Sequence, residues 1–213
     1  MTIKTFNINT DKTAFVRAYL PDSIAGLPFC EKRPAVLIFP GGGYEYCSDR
    51  EGEPIALQYL ALGYAAFVVT YSCNERFPEP LMDAAYIFYK IRMRAEEFKI
   101  DPQKMAVLGC SAGGHLAGCL ATMWSDIALT KTIGCEPEDL RPNAAILCYP
   151  VISGVTAPHE GSFKVLLGEE ASRSDLSRLS LENRVTPKTP PVFIWATAND
   201  DCVSAHNSLV MAK

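Results

Sequence analysis

The chain lacks the features that would direct it to a nucleic acid, a membrane or a metal. Among its 213 residues, 20 Lys and Arg stand against 24 Asp and Glu, the formal charge is −4, and the basic residues form no cluster. Nucleic-acid and anionic-surface partners need such a patch, so neither is expected. Long apolar runs are missing as well. The stretch 1–19 is broken by Lys4, Asp11, Lys12 and Arg17, and no later run reaches spanning length. The expectation is therefore no signal peptide, no membrane span and a cytoplasmic location. Closely spaced cysteines are absent too: the eight lie at 30, 47, 73, 110, 119, 135, 148 and 202, none within eight positions of another. That excludes Cys-x-x-Cys metal and redox motifs, and buried thiols without zinc are expected. Neither Gly-x-Gly-x-x-Gly nor Gly-Lys-Ser/Thr occurs, which removes the main nucleotide-binding signatures, and no cofactor is expected. Histidine is scarce, with only His115, His159 and His206.

What is present is an alternation of strand and helix patterns. Residues 3–8 and 14–19 read as an antiparallel pair closed by the turn signal Pro21-Asp22. The apolar run 35–39 reads as a strand buried on both faces, ending in Pro40-Gly41-Gly42-Gly43-Tyr44. Ser48 and Glu51, three apart, read as a capping box opening a helix through Ile55, Leu57, Tyr59 and Leu60 to a stop at Gly63. A strand follows at 65–71. Apolar residues at 81, 84, 85, 88, 91, 95 and 98 predict one helix over 81–98. Strands are predicted at 105–108, 144–149 and 191–196, and helices at 114–123 and from 204 onward. The polar stretch 151–190, apolar only at 163–167, reads as an insertion above the strand ends, a candidate lid. This order predicts a single α/β domain over 1–213, with a mostly parallel sheet and helices on both faces. Ligands of such sheets bind at the carboxyl ends of the strands.

Both glycine-rich motifs fall at that end. Gly109-Cys110-Ser111-Ala112-Gly113 sits between a strand and a helix, the context in which Gly-x-Ser-x-Gly forms a nucleophile elbow. Small residues two positions either side let strand and helix approach, and the helix amino end favours developing negative charge. Ser111 is the candidate nucleophile. An acyl-transfer nucleophile needs donors aimed at the oxyanion, and the backbone N–H groups of Gly42, Gly43 and Ala112 are the candidates for that hole. Beyond strand 191–196 lies Ala198-Asn199-Asp200-Asp201-Cys202-Val203, a carboxylate after a strand end and after the serine in chain order. Such a position suits the orientation of an imidazole.

With these segments the chain resembles the α/β-hydrolase family, in particular small acetyl esterases and sugar-ester hydrolases related to the hormone-sensitive lipase group. The resemblance is carried by Gly-Gly-Gly-Tyr at 41–44, Gly-Cys-Ser-Ala-Gly-Gly-His at 109–115, Ala-Asn-Asp-Asp-Cys-Val at 198–203 and, more weakly, Cys-Tyr-Pro-Val-Ile-Ser at 148–153. It implies a three-layer fold and serine-esterase chemistry on short acyl esters, often acetyl groups on sugars, with a small-molecule ester as partner. It also implies an acid followed three positions later by Val, which selects Asp200 with Val203 over Asp201. Pro40 stands where the family often has His before its glycines; the donors are backbone groups, so Pro40 need not abolish the hole.

The resemblance also implies a histidine well beyond the acid, and only thirteen residues follow Asp200. His115, four residues after Ser111, is expected to pack beside the elbow. His159 falls in the candidate lid, and His206 on the following helix is expected to point away. The expectation is a carboxyl-terminally truncated esterase whose last strand and catalytic histidine are absent, with residual activity of about a thousandfold over water. Strand 191–196 would then be an unprotected edge. Two rival functions are a non-catalytic ligand-binding protein that keeps the pocket and, less favoured for want of a peptide-docking segment, a peptidase.

Overall fold

A computed structural model describes residues 1–7, 14–23 and 32–213. Seven strands form one sheet: β1 Thr2–Asn7, β2 Phe15–Leu20, β3 Arg33–Phe39, β4 Ala65–Thr70, β5 Ile100–Cys110, β6 Ala144–Cys148 and β7 Val192–Trp195, in the order β1-β2-β4-β3-β5-β6-β7. β1 pairs antiparallel with β2, as expected, and β2 antiparallel with β4; every other pairing is parallel. Position 8, assigned to the first strand by its pattern, and Cys30 lie outside the described residues.

Alternation along the central strands divides the interior into two cores. Ala35, Leu37 and Phe39 of β3 face one side, with Phe67 and Val69 of β4 and Val107 of β5. Val36 and Ile38 face the other, with Ala66, Leu108 and Cys110. Helix α1 (Glu53–Ala61) covers the second face through Ala56, Ile55 and Tyr59. Helices α2 (Glu79–Met93), α3 (Ala95–Phe98) and α4 (Ala112–Met123) cover the first. The three-layer α/β arrangement read from the sequence is therefore the arrangement found.

Three local expectations are corrected. The helix expected over 81–98 breaks at Arg94, whose backbone leaves helical values. The break lets Phe98 turn inward to stack on Phe6 at 5.7 Å and meet Phe67 edge-on at 5.2 Å. Ser48 and Glu51 form no capping box: residues Asp49–Glu51 make a single 3₁₀ turn without a side-chain cap, and α1 begins after Gly52 with Pro54 in its first turn. Two short helices, α5 (Ile127–Ile133) and α6 (Pro137–Leu140), were not anticipated. Their signals were nevertheless present, since Asp126 caps the N–H groups of Ala128 and Leu129 and Gly134 ends α5 in the left-handed region.

The stretch 151–190 carries α7 (Glu160–Leu167) and α8 (Arg173–Leu179). Val151, Ile152, Phe163, Leu166, Leu179 and Leu181 are buried in the main core. After β7, helix α9 (His206–Ala212) returns over this segment. Its buried Asn207 accepts the N–H groups of Ile152 and Ser153, both at 2.9 Å, and donates to the carbonyls of Ala157 and Ser204. β7 is one edge of the sheet, with Phe193 63% and Trp195 42% exposed. No helix among the described residues is long and apolar enough to cross a membrane.

Candidate active site

Ser111 occupies the single residue between β5 and α4, at φ 53° and ψ −119°. For a non-glycine residue this region is strained by about 1–3 kcal/mol, and it persists only where surroundings over-determine it. They do so here. The Ser111 N–H donates to the Cys148 carbonyl at 3.0 Å, and its own carbonyl accepts from His115 at 3.1 Å and Val151 at 3.0 Å. The flanking glycines are sterically required: a Cβ on Gly109 would lie 2.0 Å from the Gly113 carbonyl oxygen, and one on Gly113 would lie 2.0 Å from that of Phe39. Beside the serine, the Cys148 thiol and burial push the Cys110 thiol up, so it stays protonated.

The carboxyl ends of β3, β5, β6 and β7 surround a cavity of about 390 Å³, a size suited to a small ligand. Ser111, Gly42, Gly43 and Asp200 all line it, together with Tyr46, Arg50, Glu51, Tyr149, His159 and Cys202. Gly42 (φ 128°) and Gly43 (φ 66°) shape the turn after β3, and the Gly42 carbonyl accepts from Glu45 and Tyr46. A Cβ on Gly42 would lie 2.1 Å from the Tyr46 carbonyl oxygen, so only glycine fits there. The N–H groups of Gly42, Gly43 and Ala112 donate to no acceptor among the described residues.

Asp200 is half-buried, and its Oδ1 accepts the N–H groups of Cys202 at 2.9 Å and Val203 at 2.8 Å. Val203 inserts into the main core and anchors the turn. Asp201 is exposed and lies outside the cavity lining. Of the cysteines expected to be buried, Cys110, Cys119 and Cys148 are, whereas Cys202 is exposed at the cavity wall because its turn carries only Val203 inward.

The imidazoles are distributed as follows. His115 is fully buried behind the elbow, its Nδ1 2.8 Å from the Tyr44 hydroxyl and its Nε2 2.9 Å from the Leu179 carbonyl. Burial holds its pKa down to about 4, so it is neutral and structural. His206 is exposed at the start of α9. His159 lies in the cavity lining, which the sequence pattern did not anticipate. Its Nδ1 caps α7 by accepting the Ser162 N–H, and its Nε2 lies 3.8 Å from the Cys202 Sγ. None of the three imidazole rings hydrogen-bonds to Ser111 or Asp200. Tyr46, Arg50, Glu51, Tyr149, His159 and Cys202 line the cavity without having been assigned to it from the sequence. Only Tyr149 and Cys202 fall inside the resembling motifs, at 148–153 and 198–203.

A mostly parallel sheet carrying a strained serine between its fifth strand and the following helix, opposite a glycine turn, defines the α/β-hydrolase class. The chain belongs to the BD-FAE family, which it matches over residues 27–213. It is 37% identical over 189 residues to endo-1,4-beta-xylanase B of Butyrivibrio fibrisolvens, covering 85% of this chain and 29% of that protein. It is 32% identical over 206 residues to the acetylxylan esterase of Xylanibacter ruminicola, covering 92% of this chain and 38% of that protein. The chain thus spans about a third of the length of these curated relatives. Among solved structures, the acetyl ester-xyloside bifunctional hydrolase of Caldicellulosiruptor lactoaceticus superposes with a TM-score of 0.83 at 36% identity, covering 97% of this chain and 74% of that one.

Proposed function

We propose that this chain carries the nucleophile, oxyanion hole and acid of a serine carboxylester hydrolase for short acyl esters, chiefly acetyl esters on sugars. The observation that carries the reading is the strained Ser111, opening into the same cavity as Gly42, Gly43 and Asp200. The names of the acetylxylan esterase and the acetyl ester-xyloside hydrolase support the acyl group and the sugar alcohol. In this reading Ser111 Oγ attacks the acyl carbon while the N–H groups of Gly42, Gly43 and Ala112 stabilise the oxyanion. Asp200 orients an imidazole that takes the serine proton and then activates water. That imidazole comes from outside the 213 residues, because His115 is engaged on both nitrogens, His159 caps α7 and His206 is outside the lining. Residues 151–190 serve as the wall that limits the acyl pocket.

The test is acetylation of the protein by p-nitrophenyl acetate, read by intact mass, with and without added imidazole. Transfer of one acetyl group, accelerated by imidazole and abolished in Ser111→Ala, is the expected result. Saturable ester binding with no acylation under either condition would overturn the hydrolase reading in favour of a non-catalytic ligand-binding protein.

A further inference from the structure

The Glu51 carboxylate is not used where the Ser48–Glu51 spacing would place it. Instead of capping α1, it turns back across the glycine loop. Its Oε2 accepts the Gly41 N–H at 2.7 Å, and its Oε1 accepts the Tyr149 hydroxyl at 2.9 Å. Gly41 follows β3 and Tyr149 follows β6, the two strands on either side of β5, whose end carries Ser111. One carboxylate therefore ties together the two loops that flank the elbow. The packing around Gly41 is close enough to transmit this. A Cβ at that position would lie 2.7 Å from Glu51 Oε2, 2.8 Å from the Cys110 carbonyl oxygen and 3.0 Å from the Ser111 Cβ. Gly41 is thus wedged between carboxylate and nucleophile, and the planar peptides that follow carry any displacement into the Gly42 and Gly43 amides.

The other end of the clamp is also held. Tyr149 sits at φ 37°, its N–H donates to the Trp195 carbonyl at 2.6 Å, and its ring meets Trp195 edge-on at 5.2 Å. Its phenol is a committed donor, since burial, with Cys110 and Glu51 adding to it, pushes ionisation well above the ordinary range. Hydrogen bonds to a carboxylate are shorter and stronger than neutral ones, which makes Glu51 a stiff strut rather than a loose contact.

We propose that Glu51 is a positioning residue: by clamping the Gly41 N–H and the Tyr149 hydroxyl, it holds the Gly42–Gly43 donors in register with Ser111 Oγ. This rests on the serine-esterase reading above. Glu51 touches no reacting atom; it acts through the glycine loop, so its loss lowers the rate of acylation without weakening ester binding. Glutamine at 51 keeps an acceptor for Gly41 and offers its amide to the phenol oxygen, so it rescues most of the effect.

Two readouts on the full chain test this. In protein labelled with ¹⁵N-glycine, the Gly41 amide proton, bonded to a carboxylate, resonates downfield; Glu51→Ala moves it upfield and shifts Gly42 and Gly43. In the imidazole-supplemented acetylation of Ser111, Glu51→Ala lowers the maximal rate by about 10- to 100-fold with half-saturation nearly unchanged, and Glu51→Gln stays within about threefold of the parent. Tyr149→Phe removes one arm of the clamp, keeps the ring on Trp195, and produces a smaller change in both readouts; it stands in if Glu51→Ala fails to fold. Unmoved Gly42 and Gly43 resonances, or a parental acylation rate in Glu51→Ala, overturn the proposal. A rise in half-saturation alone does so too. If the parent protein is never acetylated while Glu51→Ala still moves the three glycine resonances, the esterase reading falls and the clamp stands.

Discussion

The serine elbow and the Asp200 turn carry two groups of one candidate triad, yet they are held in opposite ways. The elbow lies near the middle of the sheet, with β3 on one side of β5 and β6 on the other, and its backbone is fixed by bonds to Cys148, His115 and Val151. Its glycines are pressed against carbonyls of other segments. The Asp200 turn follows the edge strand, and its carboxylate is held by two N–H groups of its own turn. Behind it, Val203 and Asn207 fasten the turn to the core and to the 150s loop. A nucleophile in a strained conformation needs tertiary confinement, whereas a carboxylate that only orients a partner is served by local chemistry.

That contrast can be broken most severely at the elbow. Gly113→Ala places a Cβ 2.0 Å from the Phe39 carbonyl oxygen and 2.4 Å from that of Pro40. All of these contacts are with backbone, which leaves no relief, and a loss of about 4 kcal/mol or more is expected in urea denaturation. A parental midpoint would show the confinement to be weaker than the geometry implies.

The next effect is pH dependence from His115 on the elbow helix. Its folded pKa of about 4 lies below the unfolded value, about 6.5. The unfolded chain binds the proton first as pH falls, so stability from this group is complete above about pH 6.5, declines toward pH 4 and then levels off. The accumulated loss is on the order of 3 kcal/mol. Denaturation at pH 7 and 4.5 checks it, and His115→Gln should flatten the difference between those two values.

Asp200→Ala removes the acceptor for two N–H groups and should cost about 1–2 kcal/mol. It should also slow imidazole-assisted acylation less than Ser111→Ala does, because added imidazole is not oriented by the acid. Asp201→Ala, exposed and outside the cavity, should leave both thermal denaturation and acylation unchanged. Equal effects at 200 and 201 would undo the choice between them. At the exposed edge strand the effect is also small: Phe193→Lys should alter stability by no more than about 0.5 kcal/mol. It should lower concentration-dependent light scattering, because a charge on an exposed edge strand opposes edge-to-edge pairing.

The legibility of these features follows from how local their causes are. Runs such as 35–39 and 105–108 announce strands because burial on both faces demands continuous apolar residues. The elbow announces itself because the steric demand at 109 and 113 can be met only by glycine, and it leaves that trace in the sequence. The family resemblance selects Asp200 over Asp201 by the Val three positions on, and that Val203 anchors the turn. The Ser48–Glu51 pair shows where such reading stops. A capping box and a carboxylate strut share one residue pattern, and the partners that separate them lie 10 and 98 positions away. His159 is similar: its place in the cavity depends on how α7 packs, and nothing in its neighbours encodes that.

The sequence alone therefore determined the succession of the seven strands, the elbow at Ser111 and the glycine turn after β3. Each is set by steric or burial requirements that act over a few residues. Tertiary structure decided the break at Arg94, the turning of Glu51 onto Gly41 and Tyr149, the engagement of both His115 nitrogens, and the entry of His159 and Cys202 into the cavity wall. Those outcomes depend on side chains from distant segments meeting at fixed distances, and only the assembled sheet, with its helices packed on both faces, sets those distances.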